Sequence, residues 1–423
     1  MRVSFVGLGK LGLPTCFTYA HKGHQVSGYD INRDRMVYSL DTVEANLEGS
    51  GSINELFHEN NNIRENLSFS DSLEECVLFG DIVFVAIQTP HEKKFEGVER
   101  LTPERKDFNY EYLVQSIKDI SEILEKHKIN KTVIVISTVL PGTIRKYIFP
   151  VKSEYMNFCY NPYFIAMGTV ARDLVHPEFI LLGCVDSEAT EKVIQFYKTI
   201  TDAPVHKTTL ENAELIKVTY NTFIGTKIVL ANNIMELCDK LPGTDCDDVI
   251  DALSLANRRI ISTQYLRGGM GDGGGCHPRD NIALSWLSDK LEMSTNFFDM
   301  IMSARENQTE YLSTLIQKHK SENLELPIYL FGKAFKPNTS ITSGSPAVLL
   351  KNILDEKGID IAEWYDPFVD QDEKEWKKGI YCLATRHDTF QDFVFPENSI
   401  VIDPFRYITQ DNIAVHSLGK GNS

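Results

Sequence analysis

The chain opens on an apolar run, Arg2–Val6, that breaks at once into G-L-G-K-L-G and reads as helix from Leu11 to Lys22. Strand, glycine turn and helix in immediate succession leave few folds open, because this is how a parallel βαβ unit begins. Each glycine has its own duty. Gly7 allows the tight turn, Gly9 lets the backbone approach a pyrophosphate, and Gly12 lets the helix lie close to the sheet. A second strand, Gln25–Tyr29, ends at Asp30, 18 residues after Gly12. A carboxylate there accepts hydrogen bonds from a ribose 2′-hydroxyl and repels a 2′-phosphate. The opening therefore predicts a dinucleotide site that takes NAD in preference to NADP.

The alternation continues with strand candidates Asp81–Ile87, Thr132–Ser137, Asn157–Tyr160 and Phe179–Gly183. Between two of them lies His91–Asp107, rich in charge, which reads equally as a solvated loop or as a lid. Helical periodicity then runs from Asn212 to Asp239 without proline and with Gly225 as its only glycine. A helix of that length bridges domains or forms an oligomer interface. More helix is expected over Asp247–Leu266 and Asp280–Lys318, interrupted by the glycines of 268–275. Past Pro327 the α/β pattern returns at Ile328–Phe331, Ser345–Lys357 and Ile359–Trp364, and Asp370–Lys378 reads as a solvated face. At about 150 residues per domain, 423 residues accommodate this order of α/β, helical and α/β segments.

Charge narrows the partners. With 43 Lys and Arg against 59 Asp and Glu the net charge is −16, which argues against nucleic acid and anionic membranes but leaves room for a small anionic ligand at a helix N-terminus. No apolar run approaches the ~18 residues of a membrane span. The eight cysteines are scattered without C-x-x-C pairs, so reduced thiols in a cytoplasmic protein are expected, with no disulfide framework and no metal site.

One cysteine stands apart. It lies in G-G-M-G-D-G-G-G-C-H-P-R-D, residues 268–280, where glycines let backbone amides crowd a ligand and Pro278 suits the first turn of a helix. Cys276 then sits at a helix N-terminus beside His277 and Arg279, all of which favour the thiolate and hence a nucleophile. On the long helix, Lys217 and Asn221 are four apart and share a face. Ser137 and Thr138 end a strand before Pro141-Gly142-Thr143, placing hydroxyls at the carboxyl edge of the sheet.

With these blocks in hand, the chain resembles the nucleotide-sugar 6-dehydrogenases, the UDP-glucose and GDP-mannose dehydrogenase family, over nearly its whole length. The resemblance rests on Gly7–Gly12, Thr89-Pro90, S-T-V-L-P-G-T (137–143), N-P-Y-F-I-A-M-G-T (161–169), A-E-L-I-K-V-T-Y-N (213–221), G-G-G-C-H-P-R-D (273–280), A-F-K-P-N-T (334–339) and Tyr365-Asp366-Pro367. It implies an NAD-binding Rossmann domain (1–208), a central helical dimerisation domain (209–312), and a C-terminal Rossmann-like domain that binds the nucleotide sugar (313–423). Such enzymes oxidise the sugar C6 alcohol to a carboxylate with two NAD, through a cysteine thiohemiacetal and thioester, and UDP-glucose is the default substrate. Carried onto this chain, Cys276 is the nucleophile, Lys217 stabilises oxyanions and shares proton transfer with Asp280, Asn221 adds a hydrogen bond and Thr138 orients a water. NAD would touch Gly7, Leu8, Gly9, Lys10, Leu11, Gly12, Asp30, Arg35, Thr89, Pro90, Ser137, Thr138 and Val139. The sugar nucleotide would touch Phe164, Lys217, Asn221, Tyr265, the loop holding Gly271 and Gly273, Phe335, Lys336 and Arg406. An arginine reaching across the dimer corresponds to Arg258 or Arg259, one position out of register, and Arg259 is the candidate.

The chain departs from the family pattern in three places. After Asn161-Pro162 the family carries two glutamates, the first a general acid/base for thioester hydrolysis; here Tyr163 and Met167 replace them. The family arginine near the NAD pyrophosphate is absent from Ser340–Ser345, and His277 stands where an aromatic follows the cysteine. Three readings follow. His277 or Tyr163 supplies the lost base and oxidation proceeds to the acid; the chemistry has shifted to an aldehyde product or another nucleotide-linked alcohol; or the fold persists as a nucleotide-sugar-binding protein without chemistry. The first is adopted, with Tyr163 among the catalytic candidates.

Overall fold

The computed structural model describes residues 1–36, 62–240, 242–257, 267–270, 274–290, 292, 296–372 and 374–420. The chain divides into two compact units, Met1–Pro90 with Phe108–Thr219, and His91–Asp107 with Tyr220–Ser423.

The first unit is built on an eight-stranded sheet: β1 (Arg2–Val6), β2 (Gln25–Tyr29), β3 (Leu67–Phe69), β4 (Ile82–Val85), β5 (Lys131–Val135), β6 (Met156–Tyr160), β7 (Ile180–Cys184) and β8 (Val205–Thr208). Their order is β3-β2-β1-β4-β5-β6-β7-β8, parallel throughout except between β6 and β7. Strand β1 is flanked by β2 on one side and β4 on the other, so the order reverses there, and ligands of such sheets bind beyond the carboxyl ends of the strands at that switch. Every residue of β4 and β5 is buried, as expected of central strands covered on both faces. The covering helices are α1 (Gly12–His21), α2 (Asn62–Asn66), α3 (Leu73–Phe79), α4 (Glu111–His127), α5 (Val170–Val175) and α6 (Ser187–Tyr197). In α4, Leu113, Ile117, Ile120 and Leu124 recur at intervals of three and four and form its buried face, and the helix ends at Lys128 in the left-handed region.

A single helix of 31 residues, α7 (Leu210–Lys240), begins in the first unit and runs into the second. There follow α8 (Cys246–Ser254), α9 (Cys276–Lys290), α10 (Phe297–Glu322) and α11 (Pro346–Glu356), with β9 (Ile328–Phe331), β10 (Glu363–Tyr365), β11 (Ile380–Leu383), β12 (Ile400–Asp403) and β13 (Ala414–Ser417). These strands form an all-parallel sheet ordered β10-β9-β11-β12-β13. One core joins Met235 and Cys238 of α7, Cys246 of α8 and Leu312 and Ile316 of α10 to Leu330, Cys382 and Ile402 of the sheet. The central helices and the last sheet thus share their packing. Among the described residues, no helix is long and apolar enough to cross a membrane.

Several expectations shift. The helix expected over Asp280–Lys318 is two helices, because Asn296 caps α10, accepting from the Asp299 amide at 3.1 Å while its own amide donates to the Ser285 carbonyl. The helix from Asp247 ends at Ser254, and its expected continuation past residue 257 lies outside the described residues. Asp370–Lys378 is largely exposed, yet Trp376 packs on Phe331 with ring centroids 4.7 Å apart.

Candidate active site

The glycine turn does what its spacing predicts, and each glycine does so for a different reason. Gly7 has φ +98°, and a Cβ there would come within 2.6 Å of the Ala86 carbonyl oxygen. A Cβ on Gly12 would overlap the carbonyl oxygen of Gly7. Both are demanded by the protein itself. A Cβ on Gly9 would meet only the Arg35 guanidinium, 3.9 Å away, so this bare backbone serves something other than internal packing. The Leu8 amide donates to Asp30 Oδ2 at 2.8 Å and the Asn32 amide to Oδ1 at 2.8 Å, which fixes the carboxylate at the end of β2. Arg35, half exposed, pairs with the same carboxylate at 3.1 Å. Leu8 is buried, Leu11 half-buried and Lys10 exposed. These residues fit NAD: an open amide turn for the pyrophosphate and an anchored acceptor for a ribose hydroxyl.

Beyond the neighbouring strands, Thr89 Oγ1 donates to the Thr138 carbonyl at 2.8 Å and Ser137 Oγ to that of Ile87. This ties the Thr89-Pro90 loop to the loop of Ser137, Thr138 and Val139. The second loop is held from below by Glu214, which sequence reasoning missed. Its carboxylate is fully buried and accepts from the Gly142 amide (2.6 Å) and the Ile144 amide (2.8 Å). Burial pushes it up to about 7, against the pull of those two donors. The available signal was its place three residues before Lys217. Lys217 is buried, with Nζ 5.2 Å from the centre of the Phe164 ring, and that ring packs on Phe179.

The second unit carries the cysteine. Cys276 is exposed and is the first residue of α9, whose first turn also holds Pro278. One turn on, Asp280 is fully buried, accepting from the Asn221 side chain on one oxygen and from Arg279 Nε and Nη2, both at 3.3 Å, on the other. The structure therefore brings Asn221, Arg279 and Asp280 together beside the thiol. Burial works against the Arg279 charge, but Asp280, Cys276 and Glu96 outweigh it and hold the guanidinium above its ordinary range. Facing loops close on the turn. A Cβ on Gly274 (φ +100°) would come within 2.7 Å of the Phe335 ring, and Gly344 (φ +71°) sits so close to Gly275 that only glycine fits. Gly344 belongs to the segment that lacks the family arginine. Lys336 lies 5.4 Å from the centre of the Phe335 ring, and burial pulls its ammonium down to about 8.

Two expected residues are withdrawn. Tyr163 cannot act as a base: its hydroxyl is buried at 2.8 Å from that of Tyr19 and 3.3 Å from that of Tyr197, inside the hydrophobic core, and burial pushes the phenol far above its ordinary range. Arg406 does not present itself to a ligand either. Its side chain is 2% exposed, with Nε 3.0 Å from both Asp247 oxygens and Nη2 2.8 Å from the Gly268 carbonyl. It ties α8 to the glycine loop. Arg259, Tyr265, Gly271 and Gly273 lie outside the described residues. Asp245, Cys246 and Asp247 gather three metal-ligand atoms, but Asp247 is paired with Arg406 and Asp245 with Lys420 at 3.1 Å.

A doubly wound sheet that opens on a dinucleotide turn defines an NAD-binding domain. The profile of the UDP-glucose/GDP-mannose dehydrogenase family matches residues 1–201 with its NAD binding domain and 211–307 with its central domain. The chain belongs to this family, the NAD-dependent nucleotide-sugar 6-dehydrogenases. It is similar to the GDP-mannose 6-dehydrogenase of Pseudomonas aeruginosa, 27% identical over 373 residues that cover 85% of this chain and 80% of that one. A UDP-glucose 6-dehydrogenase of Bacillus subtilis is 26% identical over 360 residues, covering 84% and 77%. The fold matches a solved UDP-glucose dehydrogenase from the archaeon Pyrobaculum islandicum with a TM-score of 0.81, at 24% identity and over 100% of this chain and 98% of that one.

Proposed function

We propose that this protein oxidises the C6 alcohol of a nucleotide sugar to the carboxylate, with UDP-glucose as the leading substrate and Cys276 holding the carbon between the two oxidations. The observation that carries this reading is the exposed Cys276 at the start of α9, with Arg279 and the buried Asp280–Asn221 pair one turn away. NAD, when bound, accepts a hydride at each oxidation.

Cys276 stands at the amide end of α9 within the field of Arg279, and its thiolate is the form that adds to an aldehyde carbon. Lys217 stabilises the oxyanion, and Asp280, fixed by Asn221, shares the proton. Hydrolysis of the resulting thioester needs a base to activate a water that Thr138 orients. With Tyr163 withdrawn, His277 is the remaining candidate; it is buried in the first turn of α9, directly after the nucleophile. A second reading draws on the same burial of Tyr163, together with Met167. An enzyme lacking a replacement base retains the thioester or releases an aldehyde. General acid/base groups are worth about 10² to 10⁴ in rate, so the two readings separate widely.

The test mixes protein, NAD and UDP-glucose or GDP-mannose, counts NADH, and weighs the intact protein. Two NADH per sugar without a lasting adduct is the expected result, one NADH marks the aldehyde, and a burst leaving an adduct on Cys276 marks a stalled thioester. Cys276→Ser is expected to lower turnover by about 10³-fold or more, and unchanged turnover would remove the covalent route. The protein is further proposed to be a homodimer through α7, which exposes Leu215, Phe223 and Leu230 at near-heptad spacing. Light scattering is expected to return twice the chain mass.

A further inference from the structure

The charged segment after Thr89-Pro90 has no part in the chemistry above, and the structure shows it to be neither free loop nor open lid. It leaves the first unit at Pro90, belongs to the second, and the chain returns to the first at Phe108. Phe95 is 2% exposed and packs on Ile282 of α9 and Met302 of α10. Gly97 has φ +79°, and its bare backbone seats against Pro278, where a Cβ would overlap the proline ring. The Gly97 carbonyl accepts from Arg305 of α10 at 2.7 Å, and the Val98 carbonyl accepts from Asn352 of α11 at 2.9 Å. Arg100 pairs with Glu306, Glu310 and Glu356, and Arg105 with Asp299. Lys94, on the exposed side, pairs with Glu104 at 2.8 Å.

We propose that residues 91–107 form a positioning strap for the nucleophile-bearing turn, with Gly97, seated on Pro278, fixing where Cys276, Arg279 and Asp280 stand. Two further observations support it. The strap brings the Glu96 charge to bear on Arg279, and buried His91 lies within the fields of Arg279 and Asp280. Pro278 is two residues from Cys276 and two from Asp280, so a shift of this contact moves nucleophile and proton carrier together. A displacement of about 1 Å at such a site costs about 10²-fold in rate. The strap acts through α9, so its residues are positioning residues. The proposal rests on the reading of Cys276 as the nucleophile.

The test follows alkylation of Cys276 by iodoacetamide in the intact protein, mapped by peptide mass across a range of pH. Gly97→Ala, confirmed folded by circular dichroism, is expected to slow the reaction about tenfold at pH 7 and to move its pH midpoint upward, while NAD affinity stays unchanged. Arg100→Met, which leaves the Gly97 backbone intact, is expected to act in the same direction by about threefold. Lys94→Met, on the outer side, is expected to leave the profile alone. If Gly97→Ala fails to fold, Arg100→Met decides. A fast Cys276 in the native protein whose profile neither folded variant shifts overturns the strap alone. A native Cys276 that reacts no faster than half-buried Cys184 overturns the nucleophile reading, and the strap's role with it.

Discussion

The two sheets open with the same device and use it differently. In the first unit, β1 is followed by Gly7 with φ +98°, whose amide donates to the Tyr29 carbonyl at 2.8 Å, and Asp30 accepts from the Leu8 amide. In the second, β9 is followed by Gly332 with φ +106°, whose amide donates to the Tyr365 carbonyl at 2.7 Å. Asp366 there accepts from the amides of Lys333 (2.6 Å) and Ala334 (2.9 Å). Beyond this the two diverge. The first turn runs straight into α1 and keeps the surface of Gly9 bare. The second runs into Phe335 and Lys336 and reaches no helix until Pro346. Asp366 is fully buried and takes His387 Nε2 at 3.0 Å as a further partner. Burial opposes its charge, yet His387 and the two amides hold it below the ordinary carboxylate range. The lesson is that a glycine turn followed by an aspartate is a way to close a βαβ corner. It becomes a dinucleotide site only where a second glycine and a helix start leave the corner open.

The largest expected effect breaks the closed corner. Asp366→Ala leaves two amides and a buried His387 without their acceptor and is expected to cost about 3 kcal/mol or more, read from urea unfolding. Gly9→Ala tests the open corner. Its Cβ has room in the protein, so the melting temperature is expected to hold, while NAD affinity falls about 10-fold by calorimetry. Equal losses of stability in the two variants would erase the distinction between the corners. The smallest effect concerns Glu214. Because burial raises its folded-state value to about 7, the neutral form favours the fold below the unfolded carboxyl range, and that stability is lost as pH rises through 7. Glu214→Gln is expected to remove a decline of about 1 kcal/mol per pH unit between about pH 5 and 7, measured as unfolding free energy against pH. Asp366, held below its ordinary range, responds with the opposite sign and loses its contribution only as pH falls through acid values.

Where periodicity and burial agree, the sequence is legible. The glycine turn, the second strand ending at Asp30, the long helix and the strand Ile328–Phe331 all appear where expected, because each is read from its own residues. The edge strands β3 and β8 escaped notice because they are short, and β8 reads Val-His-Lys-Thr with no buried face. In the last sheet, β11 to β13 are absent from the sequence reading; each is four residues long, as β9 is, but none follows a break as plain as the proline at 327. Tyr163 and Arg406 depart from expectation for another reason. A motif position tells which residue stands at a place in the chain, and neither the three-tyrosine cluster around Tyr163 nor the pairing of Arg406 with Asp247, 159 residues away, is local. Residues 91–107 read equally as loop or lid because the anchors of Arg100, Glu306, Glu310 and Glu356, lie more than 200 positions downstream.

That strap has a consequence for how the protein is made. The second unit borrows Phe95, Gly97 and Arg100 from the first quarter of the chain, and the partner of Arg100 at Glu356 is 256 residues further along. On the ribosome the first sheet can collapse early, but α9 meets Phe95 and Gly97 only after the whole stretch of chain between them has been made. A gene fragment starting at Tyr220 would encode the whole second sheet and still lack the support that seats Pro278.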